Sequence, residues 1–278
     1  KPNNLRFSQK CLINFLMGSL SVLSLEPVNF YVILFLTIPI YIFNFDSLYD
    51  EREKYPRKKF FIKCFLLGLS FGYGFFFFSL YWINISLLYE LDIYYYFLLP
   101  SLLLVPLLLS TFYGLSAIIS SLFYPRNISR IFIISIVWTI SEYFRISITD
   151  FPWAQIGHSL IQINTILQSV SVFGELFLTT LAIIVFSLPL VLFFDKSPDL
   201  KFTSVTITLS TLVGVIIFGL SRPDVFVEKN DRIEVNLIQP NIKQKDKWKA
   251  KRWYTIRAPR QPWHFKVIGE TLGEEDEL

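Results

Sequence analysis

Seven runs of apolar residues, each closed off by a polar or charged break, occupy residues 12–25, 28–45, 60–83, 93–123, 131–143, 175–194 and 202–220. Crossing the hydrocarbon core of a bilayer takes about 20 apolar residues in a helix. Hydrophobic residues make up 53% of the chain and charged residues 17%, well under the roughly 25% charged of an average soluble domain. The sequence therefore predicts an α-helical polytopic membrane protein with about seven transmembrane helices. The first and fifth runs are short. The fourth is long and contains Pro100 and Pro106, which calls for a kinked or tilted helix.

The basic residues set an expected orientation. Lys1, Arg6 and Lys10 precede the first run, and Arg52, Lys54, Arg57, Lys58 and Lys59 fill the second break. Arg126 and Arg130 lie in the fourth, Lys196 and Lys201 in the sixth, whereas the alternate breaks hold only Arg145. Positive charge concentrates on the cytoplasmic side of membrane proteins, so the N-terminus is expected to be cytoplasmic and the C-terminus extracytoplasmic. Because the cations sit between spans, the net charge of +4 implies no nucleic-acid partner. The first run lacks a small-residue cleavage site, so no cleavable signal peptide is expected.

Several chemical motifs reduce to packing when read in context. GLSFG at 68–72 has the spacing of a nucleophile elbow around Ser70, but that device needs a strand-turn-helix corner. Inside an apolar run, the same glycines suit close helix packing. Cys11 and Cys64 are the two cysteines; they form no disulfide framework or zinc set and read as structural. Their neighbours Lys10 and Lys63 read as anchors that snorkel to headgroups. His158 and His264 lack metal-ligand spacing, so neither a metal nor a cofactor is called for. Glu142, Arg145 and Glu175 lie close to span ends. Ionisable groups inside a membrane mark functional sites, whereas the same groups at its interface cost little, and both readings stay open.

DFPWAQIGHS at 150–159 is more specific. Pro152 breaks a helix, Trp153 suits the membrane interface and Gly157 permits a tight turn. Residues 160–173 are amphipathic, with Gln162, Asn164 and Gln168 interleaved, too polar for a span though lying between two. They read as an interfacial or re-entrant arm on the outer face.

Three stretches resemble the apolipoprotein N-acyltransferase family: GSLSVLSLEPVNF at 18–30, SEYFRISITDFPWAQIGHS at 141–159, and VNLIQPNIKQKDKW at 235–248. The resemblance implies a membrane bundle followed by an extracytoplasmic nitrilase-like domain in the bacterial inner membrane. A family cysteine takes an acyl chain from a membrane phospholipid as a thioester. It then passes the chain to the N-terminal amine of a diacylglyceryl apolipoprotein, with a glutamate as base and a lysine beside the oxyanion. Residue by residue, Trp248 matches a tryptophan bordering that active site, and Arg145, Phe151, Pro152, Trp153 and Gly157 match the family's outer loop as substrate-binding positions.

The family's catalytic glutamate, lysine and cysteine have no match in this chain, which has no cysteine after Cys64. The expected organisation is a transmembrane bundle over 1–221, with an outer arm near 145–173. The start of the nitrilase-like α/β domain, its first strand at 233–238, follows over 222–249, and a divergent, disordered tail over 250–278. By family the chain is an acyltransferase. Read as a truncated form, it is expected to be inactive alone. The alternatives are a non-catalytic lipid-binding remnant, or the membrane half of a split enzyme whose catalytic domain is a separate partner. A transporter fits less well, because the spans carry few central charges and show no repeat.

Overall fold

The apolar runs fold as helices in a computed structural model, which describes residues 5–88, 91–125, 127, 129–194, 198–222, 253–257 and 264–268. They are α1 (Phe7–Ser21), α2 (Leu34–Asp50), α3 (Arg57–Ser79), α4 (Ile83–Leu88), α5 (Leu91–Leu122), α6 (Ser129–Thr149), α7 (Asn164–Leu167), α8 (Val170–Phe173), α9 (Leu176–Phe186), α10 (Leu188–Phe194) and α11 (Pro198–Ser221). The chain divides into two compact units, Lys1–Trp82 with Leu99–Asp224, and Ile83–Leu98 with Val225–Leu278.

Among the described residues, six stretches are long and apolar enough to cross a membrane: Tyr31–Asp50, Arg57–Ser79, Tyr95–Leu122, Ser129–Thr149, Leu176–Phe193 and Lys201–Ser221. The expected seventh is α1. Its 15 residues rise only about 22 Å, short of the roughly 30 Å hydrocarbon core. The fifth run is longer than expected. It continues past residue 143 to Thr149, because Ser141, Glu142 and Arg145 find partners inside the protein rather than ending the helix at water. The fourth run continues as one helix through Pro100 and Pro106.

The faces of α1 show which solvent the fold expects. Its buried residues are Lys10, Asn14, Gly18 and Ser21, on one face by helical spacing. Leu12, Leu16 and Leu20 are exposed. A water-soluble helix would do the reverse. In lipid an apolar face gains nothing from burial, and polar groups are satisfied against neighbouring helices. Asn44 Nδ2 donates to Asn14 Oδ1 at 2.8 Å, Asn14 Nδ2 to the Leu67 carbonyl at 3.3 Å, and Ser21 Oγ to Thr37 Oγ1 at 2.7 Å. Lys10, expected to snorkel, is instead 1% exposed; its Nζ donates to Ser47 Oγ at 2.9 Å and to Glu51 at 3.2 Å.

Glycines bring α1 and α3 into backbone contact. A Cβ on Gly18 would lie 2.0 Å from the Phe71 carbonyl oxygen, and one on Gly74 would lie 2.1 Å from that of Phe15. The GLSFG stretch is interior helix, and the Ser70 hydroxyl donates to the Leu67 carbonyl of its own turn at 2.8 Å. At the centre of the bundle, Trp138 of α6 meets Tyr113 of α5 at 4.5 Å between ring centroids, Tyr41 of α2 at 5.3 Å and Phe71 of α3 at 5.5 Å. One indole thus touches three other spans, with edge and tilted geometries that aromatic quadrupoles favour.

The expected strand at 233–238 and Trp248 lie outside the described residues. Within 250–278, expected as a disordered tail, β1 (Trp253–Arg257) and β2 (His264–Ile268) pair antiparallel, Trp253 opposite Ile268 and Arg257 opposite His264.

Candidate functional site: an arginine-anchored loop

Helix α6 ends with two ionisable residues one turn apart, Glu142 and Arg145, both 0% exposed. Both are therefore enclosed by the protein rather than left at its surface. Arg145 Nε donates to Glu142 Oε2 at 2.7 Å, and Nη2 lies 2.5 Å from the same oxygen without the directional geometry of a second hydrogen bond. Tyr113 of α5 donates its hydroxyl to the other carboxylate oxygen at 2.5 Å. The guanidinium lies 5.2 Å from the Phe76 ring centroid of α3. Burying an ion pair is costly unless its remaining groups are also bonded; the tyrosine bonds the second carboxylate oxygen, and the Phe76 ring faces the guanidinium.

One guanidinium nitrogen is left to act outside α6. Arg145 Nη1 donates to the Phe151 carbonyl at 2.9 Å, fixing the start of the loop that follows the helix. The Asp150 amide closes the helix on the Ile146 carbonyl at 2.8 Å. Asp150 (φ 50°) and Ala154 (φ 56°) then take left-handed backbone on either side of Phe151-Pro152-Trp153, a conformation costing about 1–2 kcal/mol for a non-glycine residue. Pro152 holds Phe151 extended between them. Its own carbonyl accepts from Gln155 Nε2 at 3.2 Å. The loop is braced at both ends and turned outward in the middle.

Pro152 and Trp153 are accordingly exposed, and the Trp153 ring meets the half-exposed Trp82 edge-on at 6.2 Å. Gly157 does the opposite. It lies in the 3-10 turn Ile156–Leu160, where a Cβ would be 2.5 Å from the Thr179 amide nitrogen, so a side chain there would push the turn off α9. Gln155 Nε2 also donates to Glu175 Oε1 at 2.8 Å, and His158 Nε2 lies 2.6 Å from that oxygen. Glu175 is about half exposed, next to the start of α9. The arm beyond breaks into the short turns α7 and α8, with Gly219 of α11 allowing close approach to the Thr165 carbonyl.

The structure therefore joins Arg145, Phe151, Pro152 and Trp153 in one loop, seats Gly157 behind it and leaves Trp248 outside the described residues. Tyr113, Trp82 and Gln155 belong to the same assembly and were not anticipated. Glu142 and Arg145 carry a signal in their spacing, whereas a tyrosine in a run of leucines carries none. Among the described residues no three His, Cys, Asp or Glu side chains converge on a metal position. The site displays aromatic surface from a fixed loop.

Residues 17–188 match the model of the apolipoprotein N-acyltransferase N-terminal domain, a segment containing the whole loop and its anchors. The chain belongs to the apolipoprotein N-acyltransferase family. Curated relatives bear that name: one from Brucella suis biovar 1 (strain 1330) is 28% identical over 267 residues, covering 95% of this chain and 48% of the relative. One from Rhodopseudomonas palustris (strain ATCC BAA-98 / CGA009) is 30% identical over 240 residues, covering 85% of this chain and 44% of the relative. One from Allorhizobium ampelinum (strain ATCC BAA-846 / DSM 112012 / S4) is 28% identical over 237 residues, 85% of this chain and 44% of the relative. The chain spans about half the length of the curated relatives it matches.

Proposed function

We propose that these 278 residues supply the membrane-embedded part of an apolipoprotein N-acyltransferase in the bacterial inner membrane. In this reading the N-terminus is cytoplasmic, and the Trp153 loop and the C-terminal segment face outward. The observation that carries it is the anchored loop. A family match covers it, a buried ion pair fixes it, and it holds an exposed Trp82–Trp153 pair, of the amphipathic kind that favours membrane interfaces.

The reaction is the acyl transfer that the family resemblance implies. A thiolate attacks a phospholipid ester and forms a thioester as the lysophospholipid leaves. The amine of a diacylglyceryl apolipoprotein then attacks the thioester, forming the amide and releasing the thiol. The part assigned to this chain is to hold the phospholipid donor and admit the lipoprotein acceptor along the arm, with Trp248 bordering the transfer site. Cys11 and Cys64 lie in α1 and α3, not in the Trp153 loop, and neither is assigned the nucleophile.

The test uses the purified chain with a photoreactive phospholipid and a diacylglyceryl peptide. Labelling should map to residues 151–153 and fall in Arg145→Leu, and no acylated peptide should appear. Turnover above background would overturn the assignment of a non-nucleophilic part. Labelling spread evenly over the lipid-facing helices would overturn the loop as donor site. A nitrilase-like polypeptide that co-purifies and restores turnover would identify a separate catalytic partner.

A further inference from the structure

The basic residues around the α2–α3 connection read in the sequence as one topological signal, but they separate in the structure into two kinds. Lys10 and Arg130 are buried, the first against Ser47 and Glu51, the second with Nε 3.4 Å from Asp46. Lys54, Arg57, Lys58 and Lys59 are exposed and Lys63 is partly so. Among the described residues none of these five has a carboxylate within ion-pair reach. The acids of the same connection are engaged elsewhere: Glu51 by Lys10 and Tyr55, Glu53 by Arg52, and Asp50 is likewise partnered.

Three of the five cations lie against aromatic rings instead. Lys63 Nζ sits 4.1 Å from the Phe7 ring centroid and 4.2 Å from that of Tyr55. Lys59 Nζ is 6.0 Å from Tyr55, and the Arg57 guanidinium is 5.5 Å from Phe61. Rings beneath the charged heads restrict their rotamers without cancelling their charge. The result is a collar at the paired ends of α1 and α3, helices already in backbone contact through Gly18 and Gly74. Its charge lies at the N-terminal end of α3, a helix long and apolar enough to cross a membrane. Clustered Lys and Arg beside a span attract anionic lipid.

We infer that this collar, Lys54, Arg57, Lys58, Lys59 and Lys63 with Phe7, Tyr55 and Phe61, binds the phosphate of anionic lipid headgroups. It goes beyond the proposed acyl-transfer role and uses none of the Trp153 loop. The buried cations Lys10 and Arg130 take no part.

The experiment reconstitutes the 278-residue chain in bilayer discs of equal phosphatidylglycerol and phosphatidylcholine and measures the lipid retained on extraction by native mass spectrometry. Phosphatidylglycerol should be enriched, with enrichment falling as sodium chloride rises. Arg57→Gln/Lys58→Gln/Lys59→Gln should reduce enrichment by a factor of about five per charge removed, with the helical circular dichroism unchanged. Lys10→Met should leave the selectivity of the folded protein as it was. A triple variant with wild-type selectivity would overturn the inference, as would an equal loss in Lys10→Met. Inorganic phosphate that displaces the lipid as well as phosphatidylglycerol vesicles do would make the collar a site for soluble phosphate and overturn the lipid assignment.

Discussion

Arg130 and Arg145 stand near opposite ends of α6, about 22 Å apart along its axis, and both are almost wholly withdrawn from solvent. Their carboxylates come from different places. Asp46, the partner of Arg130, belongs to α2 and also accepts a short hydrogen bond from the Tyr124 hydroxyl. That pair ties two helices together. Glu142 belongs to α6 itself, so its pair with Arg145 neutralises charge locally and frees Nη1 to hold the Phe151 carbonyl. Burial alone does not distinguish the two arginines. The origin of the carboxylate decides whether a pair clamps the bundle or aims a loop.

Glu142→Ala puts the greatest strain on this comparison. It leaves the Arg145 charge buried and uncompensated, at a cost of about 3–5 kcal/mol by denaturant titration in detergent. Glu142→Leu/Arg145→Leu should recover most of that loss, because apolar side chains replace a buried pair with little penalty. A double variant no more stable than the single one would mean that shape, not charge, is at stake. Tyr113→Phe removes one hydrogen bond to a charged acceptor and should cost about 1.5–3 kcal/mol in the same titration. No change would show that the carboxylate does not depend on α5.

Asp46→Asn should cost less, about 1 kcal/mol, since Asp46 is 26% exposed and wetter ion pairs are weaker. Its effect should shrink as salt is raised, while that of Glu142→Ala should not. Equal salt dependence would erase the difference drawn between the two ends. Trp153→Ala should change stability by under about 0.5 kcal/mol, as exposed positions do. Its consequence should be a loss of phospholipid photolabelling at the loop, with unfolding unchanged.

Where the sequence was legible, local chemistry had one outcome. Pro152 between a polar helix end and an amphipathic arm announced a break, and the break is there. Gly68 and Gly72 on an apolar run announced close packing, and α5 lies against both. Glu142 and Arg145 stood out through their cost in a membrane, but their spacing alone left interface and interior equally open. Lys10 misled because a lysine at a span end commonly snorkels; here Ser47 and Glu51 of α2 meet it first. Tyr113 and Trp82 gave no sign, because aromatic residues abound in this chain and only a few face a carboxylate or another tryptophan.

The solvent was settled by the sequence itself. Runs of this length and apolarity can satisfy their backbone in lipid only as helices. Tertiary structure decided which polar groups hold the bundle, which hold the loop and which are left to the surface. Such groups act through partners on other helices: Tyr113 is 29 residues from Glu142, and Glu51 is 41 from Lys10. Side-chain reach is a few ångströms, so separations of that size along the chain become contacts only after the helices have packed.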